Sequence, residues 1–209
     1  MRLAVKIWAL LGLVFLALPL LVIIPLSFTA GQYLFYTPEM LALEPDAFST
    51  RWYAAVLNDR EWMLALKNSV FIGLSAAALS TVLGTLAALG LSRSGTPLKA
   101  FWAALILLPQ IVPIVIIAGG LYSAFSDLKM IGTYTAVIVA HTVLAAPVAV
   151  ITIRASLQRF DWRLVSASAT LGAGPLYTFC NVTLPLIRPA ILAGAIFSFA
   201  ASLDEVVVI

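Results

Sequence analysis

MIGTYTAVIVAHTVLAAPVAVITI, residues 130–153, contains no Lys, Arg, Asp or Glu, and its reading decides the fold. As a helix rising about 1.5 Å per residue, its 24 residues would extend about 36 Å, enough to cross a hydrocarbon core of about 30 Å. In lipid the backbone must satisfy its own polar groups, so such a run reads as a helix. Three more uncharged stretches lie outward from it: Ile7–Phe28, Asn68–Ser92 and Ala100–Ser126. A fifth begins at Pro189 and is still apolar at Ile209. The rest of the composition agrees. Of 209 residues, 63% are hydrophobic and 10% charged, with a mean hydropathy of +1.09. Soluble domains hold about 45–50% apolar and about 25% charged residues, so a soluble globular enzyme is excluded. One Cys and one His make neither an internal disulfide nor a closed metal site. The net charge of +3 with scattered basic residues gives no footprint for nucleic acid. The fold class is all-α integral membrane: a polytopic transmembrane helix bundle.

The short loops set the orientation. With a cytoplasmic N-terminus, the inner segments carry Arg2, Lys6, Arg93, Lys99, Arg154, Arg159, Arg163 and Arg188. The outer ones then carry only Arg51, Arg60, Lys67 and Lys129, together with six of the nine acids. Lys and Arg favour the cytoplasmic side, so the N-terminus reads as inside. A cleaved signal peptide is the alternative for the first span, but its apolar run is longer than the usual h-region of about 7–15 residues. The single membrane domain 1–209 is then divided into spans near 7–28, 68–92, 100–126, 130–153 and 189–209. An outside segment covers 29–67 and a cytoplasmic loop 154–188. Ile209 has no polar flank, so the fifth span reads as cut short.

Several motifs fail on inspection. Gly90 and Gly95 have the glycine spacing of a phosphate-binding loop, but Thr96-Pro97 follow where Lys and Ser or Thr are required. The segment reads as a turn. Asn181-Val182-Thr183 matches a glycosylation acceptor in a loop that faces the cytoplasm. His141 stands alone in the fourth span. An intramembrane ionisable residue is a functional candidate, and a neutral imidazole bonded to a neighbouring helix is the plainer alternative. Pro109, Pro113 and Pro147 fall inside spans, with Gly84 and Gly119-Gly120 among small residues, as in bundles whose helices approach closely or break locally.

The informative loop is 154–188. Asp161 can cap a helix on which Leu157, Phe160, Leu164 and Leu171 recur near helical spacing. Gly172 supplies its end, Gly174-Pro175 a turn, and Leu176–Leu184 a second short helix ending at Pro185. Exposed apolar residues on such a pair call for a covering partner, or for an amphipathic rest on the bilayer.

This loop resembles that of the permease subunits of binding-protein-dependent ABC importers. Their signature is EAA, three residues, Gly, nine residues, then I-x-L-P. The chain has Ser166-Ala167-Ser168, three residues, Gly172, nine residues, then Val182-Thr183-Leu184-Pro185, continuing as Leu186-Ile187-Arg188-Pro189. The resemblance implies the type I importer permease fold, with about six spans in a full chain. It also implies a coupling loop, 166–185, that docks into a cytoplasmic ABC ATPase, through Ser166, Ala167, Ser168, Leu171, Gly172, Ala173, Val182, Leu184 and Pro185. Ser166 departs from the family's usual Glu and offers a neutral hydrogen bond in place of a charge. Arg51-Trp52-Tyr53, Asn68-Ser69-Val70 and Ser202-Leu203-Asp204-Glu205 resemble the second permease of spermidine/putrescine-type systems.

What the resemblance implies further is an ATP-driven importer in a bacterial inner membrane. This chain, not itself an enzyme, would need no cofactor, with ATP and Mg bound in the partner ATPase. Its other partners would be a second permease subunit, an external solute-binding protein, for which the acidic, aromatic segment 32–67 offers a surface, and membrane lipid. From Pro189, Asp204 lies 15 residues along, or about 22 Å at helical rise, beyond the midplane. Acids at this depth are costly unless paired or wetted, so Asp204 and Glu205, with His141, are candidate substrate-pathway residues. A structural pairing with a partner subunit is the competing account. Polyamine is the leading solute, with opine, amino-acid-like compounds and ferric iron as alternatives. An ion-coupled secondary transporter would want ionisable residues in several spans, and the first four spans offer only His141.

Overall fold

The computed structural model describes residues 2–93, 95 and 97–208. Ser94 and Thr96 of the 90–96 turn therefore lie outside the described residues, as does Ile209 at the end of the fifth expected span. The chain divides into two compact units, Met1–Leu66 and Lys67–Ile209.

The first unit opens with α1 (Arg2–Leu26), which is apolar on every side, and none of its Val5–Leu26 span is buried. A helix apolar all round is suited to lipid or to other helices. Beyond it the chain folds back through short pieces: α2 (Pro38–Leu41), a 3-10 turn at Pro45–Ala47 and α3 (Arg51–Asn58). A single antiparallel bridge pairs Thr29 with Phe48, flanked by Ala30 N donating to Ala47 O at 2.9 Å. Arg51 ties this hairpin down: its guanidinium donates to Gly31 O and lies 4.6 Å above the Trp52 ring. Phe28 and Tyr53 pack with ring centroids 5.2 Å apart.

Among the described residues, five further helices could cross a membrane or half of one. Helix α4 (Arg60–Ser92) starts well before Asn68 because Asp59 Oδ1 accepts from Glu61 N at 2.8 Å and Trp62 N at 3.2 Å. The extra N-terminal turns carry Arg60, Glu61 and Lys67, and hydropathy alone cannot see a capped polar extension. The span expected at 100–126 is broken. Helices α5 (Lys99–Ile111) and α6 (Ile114–Asp127) meet at 103°. Val112 is extended (φ −75°, ψ 135°), as the residue before a proline prefers, and Pro113 cannot donate to a continuing ladder. Helix α7 (Tyr134–Leu157) begins four residues later than Met130, after Lys129 and Gly132 adopt positive φ and Thr133 Oγ1 caps Ala136 N at 3.2 Å.

The fifth span also differs from expectation. After α8 (Arg163–Thr170) and α9 (Pro175–Thr178), a π turn at Phe179–Thr183 leads without a break into α10 (Leu184–Asp204). The short helix expected at 176–184 is thus the start of the membrane helix. Pro185 does not end it, because Leu184 N donates to Phe179 O, five residues back. The widened turn takes up the ring clash and missing donor that a proline brings. At its other end α10 stops at Asp204, and Glu205 is extended with ψ 120°, so the helix does not reach 209.

Within the second unit α7 and α10 form the most extensive pair. Ala88, Ile153, Leu157 and Ile187 make the core, with Leu89, Phe160, Trp162 and Ile191 packed around it. Small residues set the spacing between helices: a Cβ at Gly84 would meet Ala149 Cβ at 2.7 Å, and one at Gly73 the Phe199 ring at 2.9 Å. Several buried or half-buried hydroxyls bond along their own helices, as in Thr85 Oγ1 to Thr81 O (2.7 Å) and Thr142 Oγ1 to Ile138 O (2.7 Å), whereas the buried Thr81 Oγ1 has no partner among the described residues. Back-bonding of this kind removes the cost of a polar group in hydrocarbon.

Candidate functional site

Two groups of candidate residues stand apart in the second unit: a helical elbow at 161–185 and a cavity walled by parts of four helices.

The elbow is built from capping chemistry. Asp161 Oδ1 accepts from Arg163 N at 3.0 Å and starts α8. Its ion pair with Arg163 Nε at 3.7 Å joins two exposed side chains and contributes little. Leu157, expected on this helix, instead ends α7 and is buried in the core, while Phe160 and Trp162 pack edge-on at 5.0 Å. The end of α8 is a full C-terminal cap: Ala173 N donates to Ser168 O (3.1 Å) and Gly172 N to Ala169 O (3.0 Å), with Gly172 at φ +83°. Pro175 then opens α9 at a position where its missing N–H costs nothing.

Ser168 is the pivot. Its carbonyl accepts the cap bond, and its buried hydroxyl lies 2.9 Å from the buried Thr178 Oγ1, so α8 and α9 are cross-linked ten residues apart. Sequence reading treats Ser168 as a departure from Ala and misses this partner. Of the other loop residues, Ser166 and Ala167 are exposed on α8 and Leu171 is 88% exposed at the elbow tip. Ala173, Val182 and Leu184 are half-buried, and Pro185 is exposed. Leu176 and Tyr177 add exposed apolar surface on α9.

The cavity has a volume of about 980 Å³. Its walls come from the 68–72 part of α4, from α6, from the 131–133 turn with the start of α7, and from 202–208. His141 is 4% exposed, and its Nδ1 lies 2.7 Å from Ser202 Oγ on α10. Its Nε2 is buried and has no hydrogen-bond partner among the described residues. Tyr134 Oη donates to Asn68 Oδ1 at 2.9 Å, with the ring set edge-on to Phe71. Glu205 faces the same cavity, with Oε1 accepting from Val207 N at 2.8 Å. Of the three expected pathway residues, the fold thus brings His141 and Glu205 to one cavity. Asp204 is exposed and is not among the lining residues. Glu205 leaves the helix, so two neighbours in sequence part in direction. Asn68, Tyr134 and Ser202 join the lining; Asn68 and Ser202 stand in stretches that carry the family resemblance, and Tyr134 has no signal beyond being polar in an apolar run.

In the first unit, Glu39, Glu44 and Asp46 surround a hollow of about 260 Å³. Hydrogen bonds from its own backbone N–H and from the Thr37 side chain hold the Glu39 carboxyl below the usual glutamate value.

The chain matches the family described as "Binding-protein-dependent transport system inner membrane component" over residues 80–209, more than half its length and inclusive of both the elbow and most of the cavity. It is 32% identical over 206 residues to the putrescine transport system permease protein PotI of Escherichia coli (strain K12), covering 95% of this chain and 70% of that protein. To the spermidine/putrescine transport system permease protein PotC it is 27% identical in Escherichia coli (strain K12), covering 93% of this chain and 70% of the relative. The PotC protein of Haemophilus influenzae is 29% identical, with 93% of this chain and 72% of the relative covered. An elbow capped at Gly172, helices fit to cross a membrane and these likenesses have one common explanation: the chain belongs to the family of binding-protein-dependent transport system inner membrane components.

Proposed function

We propose that this multi-pass permease passes a polyamine delivered by an external binding protein inward, driven by a cytoplasmic ATPase that docks on the 166–185 elbow. The observation that carries the reading is the elbow itself: a rigid, capped turn with Leu171, Leu176 and Tyr177 exposed on a chain of this family. Exposed apolar side chains held by a rigid turn suit a protein groove, since little side-chain or loop entropy is lost on docking. ATP and Mg belong to the ATPase, and the chemistry of hydrolysis with them. A second permease, identical or paralogous, completes the pore. With the N-terminus inside, the elbow faces the ATPase and the acidic 32–67 segment faces the binding protein. The likeness to PotI and PotC supports putrescine or spermidine as the solute.

Gly172→Pro tests the reading. Proline fixes φ near about −65° and has no N–H, whereas Gly172 needs φ +83° and donates to Ala169 O. The wild-type chain, co-expressed with its ATPase and partner permease, is expected to recover both on affinity capture. Gly172→Pro is expected to lose the ATPase, keep the partner permease and lower ATP-driven uptake of labelled putrescine at least about tenfold, by more than 1.4 kcal/mol of coupling. Gly174→Ala, at φ −72° with open space around its Cβ, serves as the control. Undiminished ATPase capture by Gly172→Pro would remove the docking role from this elbow.

A further inference from the structure

The stretch after α1 stays without charge for longer than a span needs. No Lys, Arg, Asp or Glu occurs from 7 to 38, although α1 ends at Leu26. Within this surplus, Tyr33, Leu34 and Phe35 are consecutive and each more than half exposed, a run that water disfavours. Two tyrosines place it. Tyr36 Oη donates to Val22 O at 2.7 Å, and Tyr53 Oη lies 2.6 Å from Ser27 Oγ. Val22 lies four residues before Leu26, the end of α1, so the Tyr36 hydroxyl sits about 6 Å back along the helix at 1.5 Å per residue. The chain thus leaves the helix after Leu26 and by Tyr36 is back beside its last turn, with 33–35 on the way. That level is the edge of the hydrocarbon which the 22-residue apolar stretch of α1 is long enough to cross.

Depth and chemistry together name what covers the run. From Tyr33 to Tyr36 the only polar side-chain atoms are two phenol oxygens, and Tyr, with an apolar body and a polar tip, suits the headgroup boundary. The Tyr33 and Phe35 rings stack with centroids 6.3 Å apart, which joins them into one apolar patch. The helix beside it is apolar on every side and unburied, so patch and helix form a continuous face. The backbone at 31–35 is bent rather than helical, and a bend cannot leave its N–H and C=O groups in hydrocarbon. The run therefore belongs at the boundary, where water and headgroups reach those groups, and not in the acyl core. We propose that 33–35 is a lipid-surface anchor, which dips its side chains into the headgroup–acyl boundary of the leaflet at the Leu26 end of α1. The acid-bearing turn that follows, with Glu39, Glu44 and Asp46 around its hollow, stays in water and remains free for an external protein. The anchor goes beyond the transport reading and needs only that α1 crosses a membrane.

The test uses the complex assembled around the full chain, in vesicles of phosphatidylcholine and phosphatidylglycerol. A nitroxide is attached at Phe35→Cys, or at Asp46→Cys for comparison, each in a Cys180→Ser chain. Oxygen concentrates in lipid and a polar nickel chelate in water, so collision rates with the two tell lipid, water and protein surroundings apart. The oxygen-to-nickel ratio at 35 should exceed that at 46 at least about tenfold, because bringing a polar chelate into an apolar layer is costly. Equal ratios would mean that water bathes the run. Low collision rates with both reagents would mean that a protein surface covers it. Either result overturns the anchor. A second measurement needs no substitution, so a variant that fails to assemble does not blunt the test. In the wild-type complex, a phenyl-diazirine dissolved in the acyl region should on illumination tag 33–35 together with α1, and should spare 44–47. Tagging of α1 without 33–35, or of neither, likewise overturns the anchor. Putrescine uptake by the same vesicles, with binding protein and ATP supplied, reads the transport proposal separately.

Discussion

At the scale of single residues, Ser168 shows how one hydroxyl can fix the shape of an exposed surface. Its side chain and Thr178 Oγ1 are both buried and 2.9 Å apart. Removing one partner leaves the other unpaired, at a cost of about 1–3 kcal/mol, whereas removing both is nearly neutral. Ser168→Ala alone and Thr178→Val alone should therefore each lower the thermal midpoint of the purified complex and weaken ATPase capture. The double variant should recover much of the loss, and a strictly additive double variant would mean that the bond is not the link. This contact was out of reach of the sequence, since nothing in a ten-residue separation says that two hydroxyls will meet across a turn. Gly172 was legible for the opposite reason: a glycine one residue past the end of an amphipathic stretch has few other uses. The His141–Ser202 bond spans 61 residues and no local pattern encodes it. Its two ends were visible separately, one as a lone ionisable residue in a span and one beside the acidic pair. Asp204 and Glu205 looked equivalent in sequence, and only the end of α10 between them separates their directions.

At the scale of elements, hydropathy found where the hydrocarbon lies but not where helices bend. Val112-Pro113 carries the signal for the 103° break, yet Pro109 about one turn earlier and Pro147 sit inside helices, so proline alone does not decide. What decides is whether neighbours can re-satisfy the freed carbonyls, and that depends on tertiary packing. The same holds at Pro185, where a π turn absorbs the ring. Packing between α4 and α7 offers a cleaner test. Alanine at Gly84 gains about 1 kcal/mol of helix propensity but places its Cβ 2.7 Å from Ala149 Cβ and 3.2 Å from Val150 N. Overpacking of this kind costs about 1–3 kcal/mol, and a helix backbone yields less readily than a side-chain tip, so the clash wins. Gly84→Ala should reduce the folded yield and thermal midpoint, while Gly90→Ala, with nothing within 4 Å of the added carbon, should leave or raise them. Equal effects at the two positions would mean that α4 and α7 do not approach closely at Gly84.

At the scale of the whole molecule, the distribution of charge makes a claim about sidedness that the chain can report by itself. Eight of the twelve basic residues fall in segments that share one side if the helices alternate, and the elbow belongs to that side. Its lone cysteine, Cys180, is exposed in the π turn. A membrane-impermeant maleimide therefore reads the orientation without any engineered residue. If the basic segments are cytoplasmic, the reagent should leave Cys180 untouched in intact spheroplasts and modify it in inside-out vesicles from cells lacking the ATPase. If the ATPase docks on the 166–185 elbow, as proposed, adding it purified to those vesicles should slow the modification, because Cys180 lies within that elbow, and the Gly172→Pro chain should lose that protection. Labelling in intact spheroplasts would invert the molecule and with it the assignment of the elbow to the ATPase side. Labelling confined to inside-out vesicles but indifferent to the ATPase would keep the orientation and move the docking surface elsewhere. The two conclusions are separable because sidedness follows from where the spans place the charges, whereas docking follows from the exposed apolar side chains of one capped turn.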